Sequence, residues 1–347
     1  MAAWACLYLD KVDLASTKMV PNLDHWSAMC LARLRALTSL REEDRCSGGC
    51  AVDDLRLRAR AARLAAFVVI VAALAAAGCA GAPDPGHHHP EGAAAYWDRS
   101  RLLAALPFGA ERQSVLAPEQ LGNSHIAGPL AGLRVGALFV HSPGGNHFCT
   151  ASVVGSPGKD LLITAAHCIH GGKGSSGYRS DIVFIPDYRD GQEPFGVWTP
   201  AKLLVAPQWA DSSDPDYDVG FVVLKPHDDQ NIQEILGASR LGTDMRYQYL
   251  VHVTGYPASS SAPITCVNWT SRFSETQLRF ECAGYAGGTS GSPWVIRFSP
   301  HTRTGTIVGV LGGYQEGGTT PSVSYSVRVG SAIQQLYRQA KAASVRR

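Results

Sequence analysis

Three short stretches of the chain carry side chains that could do nucleophilic chemistry if the fold brought them together. Leu161-Leu162-Ile163-Thr164-Ala165-Ala166-His167-Cys168 is an apolar, β-branched run ending in two small residues, a histidine and a cysteine. It reads as a buried strand running into a tight turn, which leaves His167 where the strand stops and solvent begins. Asp218 opens a second apolar run, Val219-Gly-Phe-Val-Val-Leu224, behind the loop residues Asp214 and Asp216. Gly287-Gly288-Thr289-Ser290-Gly291-Ser292-Pro293-Trp294 is a glycine-rich turn around a serine. A serine hydroxyl is a poor nucleophile at neutral pH, so an imidazole must remove its proton. A buried carboxylate must in turn fix the imidazole tautomer and stabilise the imidazolium. Taken singly, each stretch has a plainer reading: a structural histidine, a turn aspartate, a Gly/Ser loop.

Their joint pattern is more specific. Thr164-Ala-Ala-His167-Cys168 resembles the histidine motif of the chymotrypsin-like serine proteases, and Phe148-Cys149-Thr-Ala-Ser152-Val-Val154 resembles the Cys-x-x-Ser strand that precedes it. The octet around Ser290 resembles the family's Gly-x-Ser-Gly-[Gly/Ser]-Pro motif, and Asp218 stands where the family has an aspartate at the head of an apolar strand. The resemblance runs from about Leu133 to Tyr337. It implies an all-β fold of two six-stranded antiparallel barrels with a C-terminal helix, preceded here by a signal or anchor helix. It also implies a catalytic triad of His167 and Asp218 from the first barrel and Ser290 from the second. The Gly288 and Ser290 N–H groups would form an oxyanion hole, and disulfides would join Cys149 to Cys168 and Cys266 to Cys282. The function implied is a serine endopeptidase acting through an acyl-enzyme on protein or peptide substrates, without a cofactor or metal. The competing class is a protease fold that has lost activity and serves as a binding module or adhesin. Dead members usually lose a triad residue, and all three are present here.

Chain order separates the other hydrolases. An α/β-hydrolase runs Ser, Asp, His and uses Gly-x-Ser-x-Gly, whereas the fifth position here is Ser292 and the only histidine after Ser290 is His301. No acid with its own strand motif precedes His167, as subtilisin order requires, and no His-Glu-x-x-His is present. Two departures from the pancreatic-type pattern stand out. Thr289 occupies the place of the aspartate that pairs with a freshly cut N-terminus, so no zymogen salt bridge is expected. Thr289-Ser-Gly-Ser-Pro293 is closer to the bacterial glutamyl-endopeptidase branch. The primary pocket would be built by Gly284, Tyr285, Leu311, Gly312, Gly313 and Tyr314, with Leu311 to Tyr314 also offering backbone groups to an extended peptide. Gly284 stands where cleavage after Lys or Arg needs an acid, and no histidine marks the strand from Thr306 to Tyr314. The default substrate side chain is therefore small or apolar.

The remainder of the chain bears on delivery. The formal net charge of +2 gives no footprint for nucleic acid. Residues 1–51 read as a mis-annotated or cytoplasmic extension, since Arg56 to Arg63 and Leu64 to Ala77 have the basic and apolar regions of a signal peptide spanning 52–79. Ala76-Ala-Gly-Cys79 resembles a lipobox with alanine in place of leucine. Beyond the leader five cysteines remain, so lipidation of Cys79 would account for the odd one. An uncleaved 64–83 segment is the other anchoring mode. Either way the protein is expected to be secreted or held on the extracytoplasmic surface, as a monomer. Residues 80–130 read as a linker or pro-region with a short helix over Tyr96 to Leu106 and a solvated His87-His-His89, and 131–347 as the protease domain. Near its end, Ser331-Ala-Ile-Gln334 has the spacing of a capping box, and Ile333, Leu336, Tyr337 and Ala340 form an apolar helix face. Arg272 to Phe280 reads as a strand-like region between Cys266 and Cys282.

Overall fold

Period-two alternation explains the architecture. In the strand Leu161–Thr164, Leu162 enters one core while Leu161 and Ile163 enter another. Phe221 and Val223 alternate in the same way with Val222 and Leu224. Strands buried on both faces read as continuous apolar runs, which is how these appear in the sequence. The computed structural model describes residues 90–108, 123–128, 132–242 and 246–345. The extension 1–51, the leader 52–79 with Cys79, and His87 to His89 lie outside the described residues. Among the described residues, no helix is long and apolar enough to cross a membrane.

The strands in chain order are β1 (Leu106–Pro107), β2 (His125–Ile126), β3 (Val135–Ser142), β4 (Gly145–Val154), β5 (Leu161–Thr164), β6 (Ser180–Pro186), β7 (Pro200–Val205) and β8 (Gly220–Leu224). There follow β9 (Arg240–Leu241), β10 (Leu250–Gly255), β11 (Ile264–Arg272), β12 (Gln277–Glu281), β13 (Pro293–Ser299), β14 (Thr304–Val310) and β15 (Val323–Val327). The helices are α1 (Pro90–Tyr96), α2 (Arg99–Ala104), α3 (Ala166–Ile169), α4 (Pro207–Ser212), α5 (Ile232–Leu236) and α6 (Ser331–Val345).

The first sheet has the order β6-β3-β4-β5-β8-β7, antiparallel throughout. Paired hydrogen bonds between Phe184 and Trp198, just ahead of β7, curl it back on β6. The second sheet runs β15-β12-β11-β10-β13-β14, and bonds from Gly312 N to Tyr325 O and Val329 N to Val308 O return it to β15. These are the two six-stranded barrels expected. The short β9 and β2 add to the second sheet and β1 to the first.

Each barrel has its own core, around Leu138, Val153, Phe184 and Val222 in the first and Val253, Leu278, Phe280 and Trp294 in the second. A third core lies between them, where Ile163 and Phe221 meet Val295, Ile307 and Val310. The α6 residues Ile333, Leu336 and Ala340 seal it. The C-terminal helix therefore forms where expected, but without the capping box. Ser331 is already helical, and the Gln334 amide instead donates to Gly242 O at 2.6 Å. Arg272 to Phe280 is strand at both ends, the close of β11 and most of β12, and its middle is the hairpin turn between them, where Ser274 Oγ accepts from the Thr276 and Gln277 amides and bends the chain. The Tyr96 to Leu106 stretch contains α2. Together with α1 it packs on the outer face of β3 and β6, with Trp97 and Leu102 buried against Phe139, Val183 and Tyr188.

Candidate active site

β5 delivers His167. The strand ends at Thr164, and α3 begins at Ala166, so the imidazole leaves the barrel at its rim. The Cys149–Cys168 disulfide fastens this turn to β4. Asp218 follows a single 3₁₀ turn, Pro215–Tyr217, that Asp214 caps through the Asp216 amide. β8 starts two residues later. Asp218 is completely buried, and its carboxylate accepts three hydrogen bonds. His167 N reaches Oδ1 at 2.9 Å, while His167 Nδ1 and Gly313 N reach Oδ2 at 2.8 and 2.9 Å. An ionised carboxylate only accepts, so Nδ1 is the donor, and in the neutral ring Nε2 then keeps its lone pair.

Ser290 sits on a loop locked from several sides. Its carbonyl accepts from Thr150 N at 2.7 Å, Gly291 N donates to Leu311 O at 2.7 Å, and the Ser292 hydroxyl donates to Thr289 O at 2.6 Å. Gly291 has φ of +84°, and a Cβ there would lie 2.0 Å from Thr150 O and 3.1 Å from Ala165 N. The serine loop thus presses on the residues that lead into His167. Ser290 is buried, and its Oγ has no hydrogen-bond partner among the described residues. Structure and sequence agree in bringing Asp218 and His167 into contact and in setting the Ser290 loop against the same turn.

Gly288 is also where only glycine fits. With φ of +90°, a Cβ would meet Phe148 Cε2 at 2.4 Å and Tyr256 O at 2.6 Å. Its N–H is engaged, donating to Phe108 O at 2.8 Å.

The proposed pocket residues divide. Tyr285 is fully buried in the second core, its hydroxyl donating to Val253 O at 2.8 Å and its pKa raised well above the ordinary value by burial. Leu311 belongs to the same core. Gly284 has φ of +91°, and a Cβ there would lie 2.7 Å from Ser124 Oγ. The amides of Gly312, Gly313 and Tyr314 donate to Tyr325 O, Asp218 Oδ2 and Gln277 Oε1 at 3.0, 2.9 and 2.8 Å. All three are consumed internally, so the expected peptide-pairing edge has no N–H to offer here.

Two further residues organise the site, and the sequence did not single them out. Thr150 Oγ1 donates to Gly288 O and accepts from Tyr256 N, while its own carbonyl accepts from Thr164 Oγ1. Its place in the Phe148 to Val154 motif was the available signal. Buried Gln277 donates to Asp216 Oδ1 at 2.6 Å as well as accepting from Tyr314 N, coupling the aspartate loop to the strand beside it. No local pattern marks it. Cys149, Cys168 and His167 have a metal-like closeness, but the two sulfurs are bonded to each other and offer no thiolate. The second expected disulfide, Cys266–Cys282, ties β11 to the end of β12.

Comparison with known proteins agrees with this architecture. No curated protein matches the chain. The protease Anisep from Arthrobacter nicotinovorans is similar at 27% identity, over 63% of this chain and 99% of that one, with a TM-score of 0.57. The thermostable serine protease AL20 from an extremophilic microorganism is similar at 27% identity, over 62% and 99%, with a TM-score of 0.56. A Glu endopeptidase solved with MPD shares the fold at 16% identity, over 65% and 100%, with a TM-score of 0.52. The family model described as Trypsin matches residues 134–333, and the chain belongs to this family of serine peptidases.

Proposed function

We propose that the protein is an extracytoplasmic serine endopeptidase whose nucleophile is Ser290, general base His167 and orienting acid Asp218. The observation that carries this reading is the fully buried Asp218 carboxylate, which takes both the backbone N–H and the Nδ1–H of His167. Ser290 Oγ attacks the peptide carbonyl while His167 Nε2 takes its proton. The negative charge that develops on the carbonyl oxygen is met by the Gly288 and Ser290 N–H groups. The imidazolium then protonates the departing amine, leaving an acyl-enzyme on Ser290. Water, deprotonated by the same imidazole, releases the second product.

Two disulfides support folding in an oxidising compartment, in keeping with export by a 52–79 leader. With Gly284 at the pocket base, a small or apolar side chain is the preferred residue before the cut. Hydrolysis of a peptide library by the wild type, Ser290→Ala and His167→Ala tests the assignment. The expected result is turnover by the wild type and a loss of about 10⁴-fold or more in either variant. Comparable turnover by Ser290→Ala would overturn it.

A further inference from the structure

The Gly288 N–H can serve a substrate only if it is available, and here the chain itself occupies it. Leu106–Pro107 lies parallel to β4, in register with His147 and Phe148. One residue on, Phe108 N donates to Phe148 O at 3.1 Å, and Phe108 O accepts from Gly288 N at 2.8 Å. The Phe108 ring stacks on His147, with centroids 4.5 Å apart and planes at 21°, and the Arg179 guanidinium lies over it at 5.1 Å. These are two main-chain bonds and a seat for an aromatic side chain, made by groups on either side of the cleft.

The segment is well anchored upstream. Trp97 Nε1 donates to Asp181 O, Arg99 donates to the Asp190 carbonyl at 3.0 Å, and Leu102 is buried against β3 and β6. Anchoring matters because a tethered ligand competes at an effective concentration on the order of millimolar, whatever the substrate concentration.

We propose that the β4 edge beside Gly288, with His147 and Arg179, is a subsite for an aromatic residue of an extended peptide, and that the chain's own Leu106–Phe108 fills it as an intramolecular inhibitor. The proposal rests on the reading of Gly288 as an oxyanion donor. One N–H makes one strong hydrogen bond, so the Phe108 carbonyl and the scissile carbonyl exclude each other. Release of the segment frees the donor without rebuilding the Ser290 loop, which is held by Thr150, Leu311 and its own hydroxyls.

The test compares full-length wild type, Phe108→Gly and Ser290→Ala in hydrolysis of a chromogenic peptide. Phe108→Gly removes the stacked ring and loosens the backbone, and is expected to raise the initial rate at least tenfold. The peptide acetyl-Ala-Leu-Pro-Phe-Gly-amide, matching residues 105–109, is expected to raise KM of that variant without changing kcat. Phe108→Leu keeps an apolar side chain and reads the same release where the glycine variant folds poorly. Equal rates for wild type and both Phe108 variants, with Ser290→Ala inert, would overturn the inhibitor and leave the peptidase assignment standing. Rates no higher than Ser290→Ala in every folded chain would overturn both.

Discussion

Asp218 shows how much one side chain is asked to do. Its two oxygens hold His167 at backbone and ring and also hold Gly313 N, so the carboxylate sets the imidazole tautomer and ties the two barrels at one point. Asp218→Asn would turn an N–H toward Nδ1 and favour the wrong tautomer. The expected loss is about 10⁴-fold in kcat with the fold retained, read from steady-state kinetics beside near-UV circular dichroism. A different titration is written into His252, whose ring stacks on Phe298 with centroids 4.0 Å apart. Burial, aided by the nearby charge of His125, pushes its pKa down to about 4. The unfolded imidazole takes a proton near its ordinary value, and the folded one resists until about pH 4. Stability is therefore complete above the ordinary value and falls by roughly 3 kcal/mol as pH drops through this window. Urea unfolding at pH 7 and pH 4.5 should show that loss in wild type and a smaller one in His252→Phe. At this scale the sequence was informative wherever a residue marked a boundary. His167, Asp218 and Ser290 each sit where an apolar run meets a turn. Thr150, Gln277 and Phe108 act through partners far along the chain; only Thr150 lies in a recognisable motif, and the neighbours of Gln277 and Phe108 carry no trace of their roles.

At the scale of elements, the strands were legible because alternation and apolar runs are local properties. β3, β4 and β5 begin and end within a few residues of the apolar runs from Val135, Phe148 and Leu161. The misreadings arose where a side chain had a better partner elsewhere. Gln334 reaches Gly242 instead of closing a capping box, and Ser274 breaks the stretch from Arg272 to Phe280 into the end of one strand and the start of the next. Tyr285 and Leu311 belong to the second core, although the place of Tyr285 just before the serine motif and of Leu311 on the strand after it suggested a pocket. Two element-level links invite measurement. Replacing Cys149 and Cys168 together by alanine should cost about 3 kcal/mol in denaturant unfolding, since the disulfide closes the loop that carries β5 and the histidine turn. Gln277→Leu leaves the Tyr314 N–H without its acceptor and removes a donor from Asp216. It should cost roughly 1–3 kcal/mol in stability and lower kcat/KM, with the peptide KM rising more than kcat falls.

At the largest scale, the described residues from 132 onward form two closed sheets that share a core and place one part of the site on each. Ile163, Phe221 and Val223 come from the first barrel, Val295, Ile307 and Val310 from the second, and α6 covers the seam. Leu336→Ala should open a cavity at that seam and cost about 2–5 kcal/mol in thermal unfolding, without altering the contact between Asp218 and His167. Rigid packing of this kind lets the site be assembled before substrate arrives, so access is the natural point of control. The segment on Gly288 acts there. The claim on which everything else depends is that Ser290 is a nucleophile activated by His167. Fluorophosphonate labelling of the full chain, with the adduct located by peptide mass mapping, tests it most directly. A single adduct is expected on the peptide carrying Ser290, formed faster in Phe108→Gly and absent from His167→Ala. No adduct on Ser290 in either wild type or Phe108→Gly, with the fold and both disulfides intact, would contradict it.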